Sequence, residues 1–481
     1  MTMNLRVLLD DPTVPDVEIA DLTLDSRALK PGDAFLALPG ALQDGRRFVP
    51  EAFAQGAVAV LCEAEGGGVP TDDRIVMLPA LRSKLGRLAD RFYESPSRAM
   101  TVIAATGTNG KTSVVDLGAQ IIRQTRGAAG SIGTLGARLD QQARVASNTT
   151  PDCLSLHRQL SQWQVAGVEY VALEASSHAL DQGRLDGVVV DVGVFTNLSR
   201  DHLDYHGSMR EYCDAKLRLF RDFRPAVRIY NADDPEVARH QDIWRHGGLG
   251  ISDISGAADV TFEVLSTAPL LLRVSTPWGE GEVQTALAGR FNAFNVVTAI
   301  SIAVSVGASL QDALAGAAEL QPVEGRLQSV GDGEDIAVVI DYAHTPDALE
   351  RALAALLESK KDGALWVVFG CGGDRDKGKR PEMGMVACRL ADRVVITSDN
   401  PRTEAPEQIV DDILRGCESG SPLVEVDRAA AIAMAISEAK RGDTVLIAGK
   451  GHEHYQEIQG VRLPFSDFQH AQENLSLRRA A

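Results

Sequence analysis

Basic residues are scarce in this chain. Lys and Arg number 48 against 66 Asp and Glu, so the formal net charge is −18 and the isoelectric point is about 5.0. That balance argues against a nucleic-acid partner, because binders of DNA or RNA present a basic face to the phosphates. An anionic small molecule remains possible as a substrate, provided positive charge is gathered locally, as it is in Lys377-Gly378-Lys379-Arg380. Cysteine is equally sparse. The six residues, Cys62, Cys153, Cys213, Cys371, Cys388 and Cys417, form no CxxC pair and no metal-ligand spacing. This excludes a disulfide framework and a structural zinc site, and predicts reduced thiols in a cytoplasmic protein. No run of about 18 apolar residues exists, so no membrane-spanning helix is expected. The Ala-rich segment 296–318 comes closest. It is interrupted by Ser301, Ser305, Gly307 and Asp312 and reads as packed helices. The opening MTMNLRVLLDD is too short and too acidic for a secretory signal. Repeats and low-complexity tracts are absent. Few apolar stretches look exposed, which predicts a monomer.

At 481 residues the chain exceeds a single core and suggests about three domains. The first block, residues 1–97, ends in an amphipathic helix at 81–92 and a Ser95-Pro96-Ser97 linker. The second spans 98–322. The third, 323–481, alternates strand candidates at 336–340, 364–369, 393–396 and 444–447 with helices such as 346–358, 406–415 and 428–440. Strands alternating with helices imply an α/β fold with a doubly wound parallel sheet. Nearly every cluster of reactive-looking polar residues lies directly after an apolar strand candidate. Glu174 to His178 follows 170–173, Thr196 to His202 follows 188–195, and Asp341 to His344 follows 336–340. Gly370 to Arg380 follows 366–369, Ser398 to Arg402 follows 394–397, and Gly449 to Glu453 follows 444–448. In open α/β sheets, ligands bind outside the carboxyl ends of the strands. Two such sheets facing each other would enclose one cleft between the second and third blocks.

The string ATGTNGKTS at 105–113 follows the strand candidate 101–104 and precedes a helical segment at 114–124. A glycine-rich turn between strand and helix aims backbone N–H groups and a helix N-terminus at one point, which suits a phosphate. Lys111 adds a charge for the β- and γ-phosphates, and the Thr112 hydroxyl can hold Mg²⁺. The usual nucleotide loop places a further glycine where this chain has Ala105. By spacing alone, an ordinary strand–turn–helix junction with a surface lysine is also open.

Eleven strings in order extend the pattern over nearly the whole chain: LTLDSR (22–27), ATGTNGKTS (105–113), NTTPD (148–152), EASSHAL (174–180), FTNLSRDHLDYHG (195–207), AKLRLF (215–220), GRFNAFN (289–295), DYAHTPDAL (341–349), CGGDRDKGKRPEMG (371–384), DNPRTE (399–404) and GKGHE (449–453). Together they resemble the Mur ligase family, and within it the tripeptide-forming branch. The resemblance implies three domains: a smaller N-terminal α/β domain, a central P-loop-type parallel-sheet domain and a C-terminal Rossmann-like domain. It also implies a cytoplasmic, ATP- and Mg²⁺-dependent ligase of peptidoglycan precursor synthesis. A carboxylate of UDP-MurNAc-L-Ala-D-Glu would attack the γ-phosphate to give an acyl phosphate, and an amino acid's amine would then displace phosphate.

Residue roles follow from the same resemblance. ATP would lie on Gly107, Thr108, Asn109, Gly110, Lys111, Thr112 and Ser113, with Asn292, Arg326, Asp341 and His344 around its adenosine and phosphate ends. Thr112, Glu174, His202 and Lys216 would hold the metal, Lys216 after its amine has taken up CO₂ as a carbamate. Lys111, Glu174, His202 and Lys216 would form the catalytic set, and Asp201 would orient His202 or cap a helix. Read by itself, Lys216 is a helix-surface lysine, Asn292 and Asn295 are a helix N-cap pair, and Arg326 is an interdomain ion-pair partner. The UDP-sugar peptide would run over Leu24, Ser26, Asn148, Thr149, Thr150, Ser176, Gln182 and Arg184. The stretch 41–45, Ala-Leu-Gln-Asp-Gly, lacks an early histidine expected near the uracil.

The amino acid to be added is read at Asp399, Asn400, Pro401 and Arg402, with Arg375, Gly449 and Glu453. The two common choices, meso-diaminopimelate and L-lysine, differ by one carboxylate at the far end. A guanidinium holds such a carboxylate bidentately. Facing lysine's ammonium, it would be unpaired and repelled. Arg402 therefore points to diaminopimelate, with Arg375 on the other carboxylate and Glu453 accepting an amino group. The lysine-adding enzyme, a folate-type polyglutamate ligase and an ATP-driven switch are the competing readings. A hinge near 320–324 would let the third block close on the nucleotide.

Overall fold

The computed structural model describes residues 2–40, 43–65, 71–139, 142–144, 148–253, 258–267, 269–331, 335–359, 363–418 and 421–480. Ala41 and Leu42, in the expected uracil-side stretch, lie outside them. The chain forms two compact units.

The first unit comprises residues 1–104, 128–191 and 218–225. Four short strands, Leu22–Thr23, Ala34–Ala37, Ala59–Glu63 and Ile75–Leu78, pair in parallel in that order. Helix Leu81–Phe92 forms where the apolar periodicity puts it, and buries Leu81, Leu85, Leu88, Ala89 and Phe92. These residues share a core with Leu5, Leu8, Leu22, Leu36 and Leu61 and with Cys153 and Leu154 of helix Cys153–Val165. Gly86 allows this helix a close approach. A Cβ there would lie 2.4 Å from the Asp186 carbonyl. Strand Ala129–Gly133 pairs in parallel with Tyr170–Glu174 and antiparallel with Gly136–Leu139.

The second unit comprises residues 105–127, 192–217 and 226–481. Strands Val192–Phe195, Val227–Asn231, Gly248–Ser252 and Val260–Thr267 run parallel. Two antiparallel strands, Leu270–Thr276 and Gly279–Thr285, extend the order. Helix Lys111–Thr125 packs on helices Arg290–Ser305 and Leu310–Ala318, the pair expected from the Ala-rich segment. Gly118 and Gly316 thin the contact, facing Ile302 and Ile121.

Further along, a six-stranded sheet has the order Gln328–Val330, Ala337–Asp341, Thr444–Ala448, Leu365–Phe369, Arg393–Ile396 and Leu423–Val424, with only its first strand antiparallel. Its inner strands are buried on both faces, which is why they read as unbroken apolar runs. Helices Pro346–Ser359, Lys379–Leu390 and Pro406–Leu414 cover one face. Helices Arg428–Glu438 and Asp467–Ala480 cover the other. A hairpin, Tyr455–Ile458 with Val461–Pro464, precedes the last helix. All six cysteines are free thiols. Among the described residues no helix is long and apolar enough to cross a membrane.

Candidate active site

Strand Thr101–Thr106 leads into the glycine-rich loop, and helix Lys111–Thr125 leaves it. Gly107 and Gly110 both have positive φ, 143° and 86°. A Cβ at Gly107 would sit 1.9 Å from Thr196 Oγ1, and one at Gly110 would sit 2.9 Å from Asn295 Oδ1. Only glycine fits at either position. The loop is laced to the end of strand Val192–Phe195. Thr196 Oγ1 donates to the Asn109 carbonyl at 2.6 Å, and Asn197 Oδ1 accepts from the Asn109 N–H at 2.9 Å. The Lys111 ammonium folds back onto the carbonyls of Gly107 and Thr108, at 2.9 and 2.8 Å. Ser113 is buried one residue beyond Thr112 in the helix's first turn.

Lys216 differs from the expected surface lysine. It lies in helix Met209–Arg221, is 1% exposed, and donates to the same Gly107 carbonyl at 2.7 Å. Its ammonium also lies 4.3 Å from the Tyr212 ring centroid. Burial, and next the charge of Lys111, pull its pKa well below the usual lysine value. Among the described residues no carboxylate stands within ion-pair distance of it.

The loop also meets residues beyond 323. Asn109 Nδ2 donates to Asp347 Oδ2 at 2.8 Å, and Arg326 Nη2 donates to Thr112 Oγ1 at 2.9 Å. Arg326 stacks over Tyr342 at 4.6 Å, and its Nε is buried without a partner. It therefore touches the phosphate loop directly rather than an interdomain carboxylate. Asp341 Oδ2 accepts from the Leu327 N–H and Oδ1 from the Ala343 N–H, each at 2.8 Å, and burial raises its pKa. Asn292 and Asn295 are not N-caps, because Gly289 holds that position. Asn292 Nδ2 reaches back to the Ala288 carbonyl at 2.8 Å, and Asn295 donates to Asn292 Oδ1 at 3.3 Å.

Asp201 organises a further cluster. Its carboxylate lies 3.4 Å from His202 Nε2, 3.7 Å from His344 Nε2 and 3.7 Å from Lys379 Nζ. Burial opposes its ionisation, but the neighbouring His344 and the charge of Lys379 prevail and hold the carboxyl well below the usual range. Asp201 is no N-cap; His202 takes that position before the short helix Leu203–His206.

These four residues line a cavity of about 190 Å³ together with Tyr342, Arg375, Asp399, Asn400, Arg402, Gly449 and Glu453. Arg402 has φ 52°, and its Nη1 donates to the Gly373 carbonyl at 2.7 Å. A Cβ at Gly373 would fall 1.9 Å from the Pro401 carbonyl oxygen. Arg375 is exposed and donates to the carbonyl of Asp374 at 2.9 Å. Gly449, with φ 114°, lets the strand end pass Asp399, whose Oδ2 would be 2.6 Å from a Cβ there. Tyr342, Lys379 and Lys450 escaped the sequence reading as site residues. Their signal was their place in the quoted strings, at strand ends or within the basic run.

In the first unit, Glu174 is buried at the end of its strand. Its Oε1 accepts the Thr134 N–H at 2.8 Å, and Oε2 accepts the Thr134 hydroxyl at 3.1 Å. Thr150 Oγ1 donates to the Glu174 carbonyl at 2.6 Å and lies 3.3 Å from Ser176 Oγ. Arg184 Nη1 donates to the Thr150 carbonyl at 2.8 Å and Nη2 to Gln182 Oε1 at 2.8 Å. Thr149 Oγ1 is 3.2 Å from the Thr134 hydroxyl. A cavity of about 670 Å³ in this unit joins Leu24, Ser26, Asn148, Gln182 and Arg184. Its wall also holds Phe35, Phe48, Glu51 and Arg82, which sequence reasoning did not single out.

Among the described residues, no group of three or more His, Cys, Asp or Glu is arranged to hold a metal. Of the residues expected to hold the metal, the second unit contains the Thr112 hydroxyl, the His202 imidazole and the amine of Lys216. Mg²⁺ takes oxygen ligands, so an ammonium at Lys216 does not fit and a carbamate does. The depressed basicity of Lys216 and its lack of a carboxylate partner suit that change.

A glycine-built phosphate loop, a cleft lined by arginines, lysine and carboxylates together, and a Rossmann-like sheet define a nucleotide-dependent α/β enzyme. Family comparison narrows this. The pattern of the Mur ligase middle domain matches residues 105–303, that of the Mur ligase glutamate ligase domain matches 325–451, and that of the Mur ligase family catalytic domain matches 18–93. The chain belongs to the Mur ligase family. It is 44% identical over 482 residues to a UDP-N-acetylmuramoyl-L-alanyl-D-glutamate--2,6-diaminopimelate ligase of Pseudomonas aeruginosa, covering 99% of each chain. A protein of the same name from Chromobacterium violaceum is 46% identical over 464 residues, covering 94% of this chain and 93% of that one. A solved structure of a ligase of that name superposes with a TM-score of 0.68 at 34% identity, over 100% of both chains. The fold is accordingly α/β in three domains, with a central P-loop-type parallel-sheet domain, a C-terminal Rossmann-like domain and a smaller N-terminal α/β domain.

Proposed function

We propose that this chain is the ATP-dependent ligase that adds meso-diaminopimelate to UDP-MurNAc-L-Ala-D-Glu, forming ADP and phosphate, in cytoplasmic peptidoglycan precursor synthesis. The observation that carries the reading is the 190 Å³ cavity, where Arg375, Asn400, Arg402 and Glu453 stand with His202 and His344. Guanidiniums, an amide and a carboxylate are the groups that complement an amino acid with two carboxylates and two ammoniums. The names of the full-length relatives support the same substrate.

In this reading the loop N–H groups and Lys111 bind the phosphates. Arg326, with its buried unpartnered Nε, adds a donor beside Thr112. Asn292, Asp341 and His344 serve the adenosine and phosphate ends of the nucleotide. The carboxylate of the D-glutamyl residue attacks the γ-phosphate, and the amine held in the cavity displaces phosphate. The bonds Asn109–Asp347 and Arg326–Thr112 keep residues beyond 323 against the loop and exclude water from the reactive acyl phosphate. In the second unit Thr112, His202 and a carbamylated Lys216 would hold Mg²⁺, which would supply charge neutralisation for phosphoryl transfer, and Glu174 keeps the metal-ligand role that the resemblance implies. Leu24, Ser26, Asn148, Thr149, Thr150, Ser176, Gln182 and Arg184 would bind the UDP-sugar peptide. We read the chain as a monomer of three domains, 1–97, 98–322 and 323–481, each enclosing one family segment.

The test supplies ATP, Mg²⁺ and UDP-MurNAc-L-Ala-D-Glu with either meso-diaminopimelate or L-lysine and weighs the products by mass spectrometry. A tripeptide formed only with diaminopimelate is expected. Product mainly with lysine would overturn the role given to Arg402, and no product with either would overturn the ligase reading.

A further inference from the structure

Lys450 follows strand Thr444–Ala448 by two residues, and its side chain is wholly buried. Its ammonium donates to Asn400 Oδ1 and to Glu453 Oε2, both at 2.9 Å. Asn400 Nδ2 donates to the same Glu453 Oε2 at 2.8 Å, which closes a triangle of three side chains. Asn400 Oδ1 also accepts the Glu457 N–H at 2.9 Å, so the amide cannot flip without losing a bond. Oε2 of Glu453 thus carries two donors, while Oε1 has no protein donor among the described residues. Two bonds to one oxygen fix the plane of a carboxylate and reserve the other oxygen for a cation in the cavity that Glu453 lines.

We infer that Lys450 is a positioning residue that sets selectivity for the incoming amino acid's second, non-reacting ammonium by orienting Glu453. The inference rests on the reading above, in which Glu453 accepts an amino group. Lys450 touches no substrate in this account; it is sealed beneath the cavity. Asp399, buried nearby, is the other carboxylate that its charge compensates. Without Lys450, buried Asp399 and part-buried Glu453 would lack their shared cation, and Glu453 would turn away or swing freely. Either change removes the acceptor for an ammonium and leaves the arginines that face the carboxylates untouched.

The test compares meso-diaminopimelate with 2-aminopimelate, which keeps both carboxylates but lacks the second ammonium. Steady-state constants are measured for wild type, Lys450→Met, Lys450→Gln, Glu453→Gln and the double variant Lys450→Met/Glu453→Gln. The wild type is expected to favour diaminopimelate by about 100-fold or more, since a site built for a polar group rejects the analogue lacking it. Lys450→Met is expected to shrink that ratio at least about tenfold through KM for diaminopimelate, with KM for ATP and for the UDP precursor within about twofold of wild type. Lys450→Gln, which keeps a donor to Asn400, recovers part of the ratio and carries the test if the methionine variant does not fold. The double variant loses no more than Glu453→Gln alone. An unchanged ratio, or a parallel rise in all three KM values, would overturn the inference. A wild type that ligates neither amino acid would overturn the parent reading and this one together.

Discussion

Arg428 and Asp467 form an ion pair whose side chains are both 0% exposed. Arg428 Nε and Nη2 each donate to Asp467 at 2.8 Å, and the guanidinium also reaches the carbonyls of Ala448 at 2.9 Å and Ser398 at 3.3 Å. Those carbonyls immediately precede the Gly449-Lys450 and Asp399-Asn400 strings. Replacing Arg428 with Met leaves a buried carboxylate without its cation, which costs about 3–5 kcal/mol. For a domain of about 150–250 residues each kcal/mol shifts Tm by about 2–4 °C, so a fall of about 6–20 °C is expected. Arg428→Met/Asp467→Leu removes both charges and regains much of that loss. It stays about 1–3 kcal/mol below wild type, because the two carbonyls lose their donor. Scanning calorimetry of wild type, both single variants and the double variant closes the cycle. Asp467→Leu leaves a buried guanidinium unpaired at a similar cost, so the reasoning predicts a coupling of about 6 kcal/mol. Additive losses within about 0.5 kcal/mol, or a single-variant loss under about 1 kcal/mol, would refute it.

Lys216 must be neutral to combine with CO₂, and its lowered pKa provides the neutral amine. Because the neutral fraction falls as pH drops through that lowered value, activity is expected to decline on acidification and in CO₂-stripped buffer. Bicarbonate should restore it at constant pH; an enzyme indifferent to bicarbonate would rule the carbamate out. Arg402→Ala is expected to lower kcat/KM for diaminopimelate by about 10³ or more while KM for ATP holds, as steady-state kinetics would report; a loss under about tenfold would return the choice of amino acid to other residues. Gly86→Ala forces a methyl group against the Asp186 carbonyl and is expected to destabilise by about 1–3 kcal/mol despite alanine's better helix propensity. Calorimetry showing a gain in stability would contradict that packing.

The strand and helix candidates named in the third block stand within two residues of their expected bounds. Strand Arg393–Ile396 there, and helix Leu81–Phe92 in the first block, begin and end where periodicity and apolar runs place them, because buried parallel strands and amphipathic helices write strong patterns. The antiparallel strands Leu270–Thr276 and Gly279–Thr285 were not anticipated. They are half-exposed, and Gly279 and Gly281 blur their alternation. The two-residue strands near the N-terminus are too short to leave a period. Among site residues, motif order marked Lys111, Arg402 and Glu453. Lys216 was marked by the same motif order, but its burial needed the fold, since its ammonium meets the Gly107 carbonyl 109 positions earlier. Lys450 and Asp347 lie inside quoted strings, but their partners Asn400 and Asn109, 50 and 238 positions away, show only in the fold.

Arg402 is seated by the hairpin that lies more than fifty residues further on. Its N–H donates to the Glu457 carbonyl at 3.0 Å, its carbonyl accepts from the Gln459 N–H at 2.7 Å, and its left-handed φ of 52° is held between them. A transplant of the four-residue string Asp399-Asn400-Pro401-Arg402 into a related scaffold would therefore carry the guanidinium without its mounting. In the proposed reading, specificity is written in two distant pieces of chain, and recoding it would require exchanging the hairpin Tyr455–Ile458 and Val461–Pro464 along with the string.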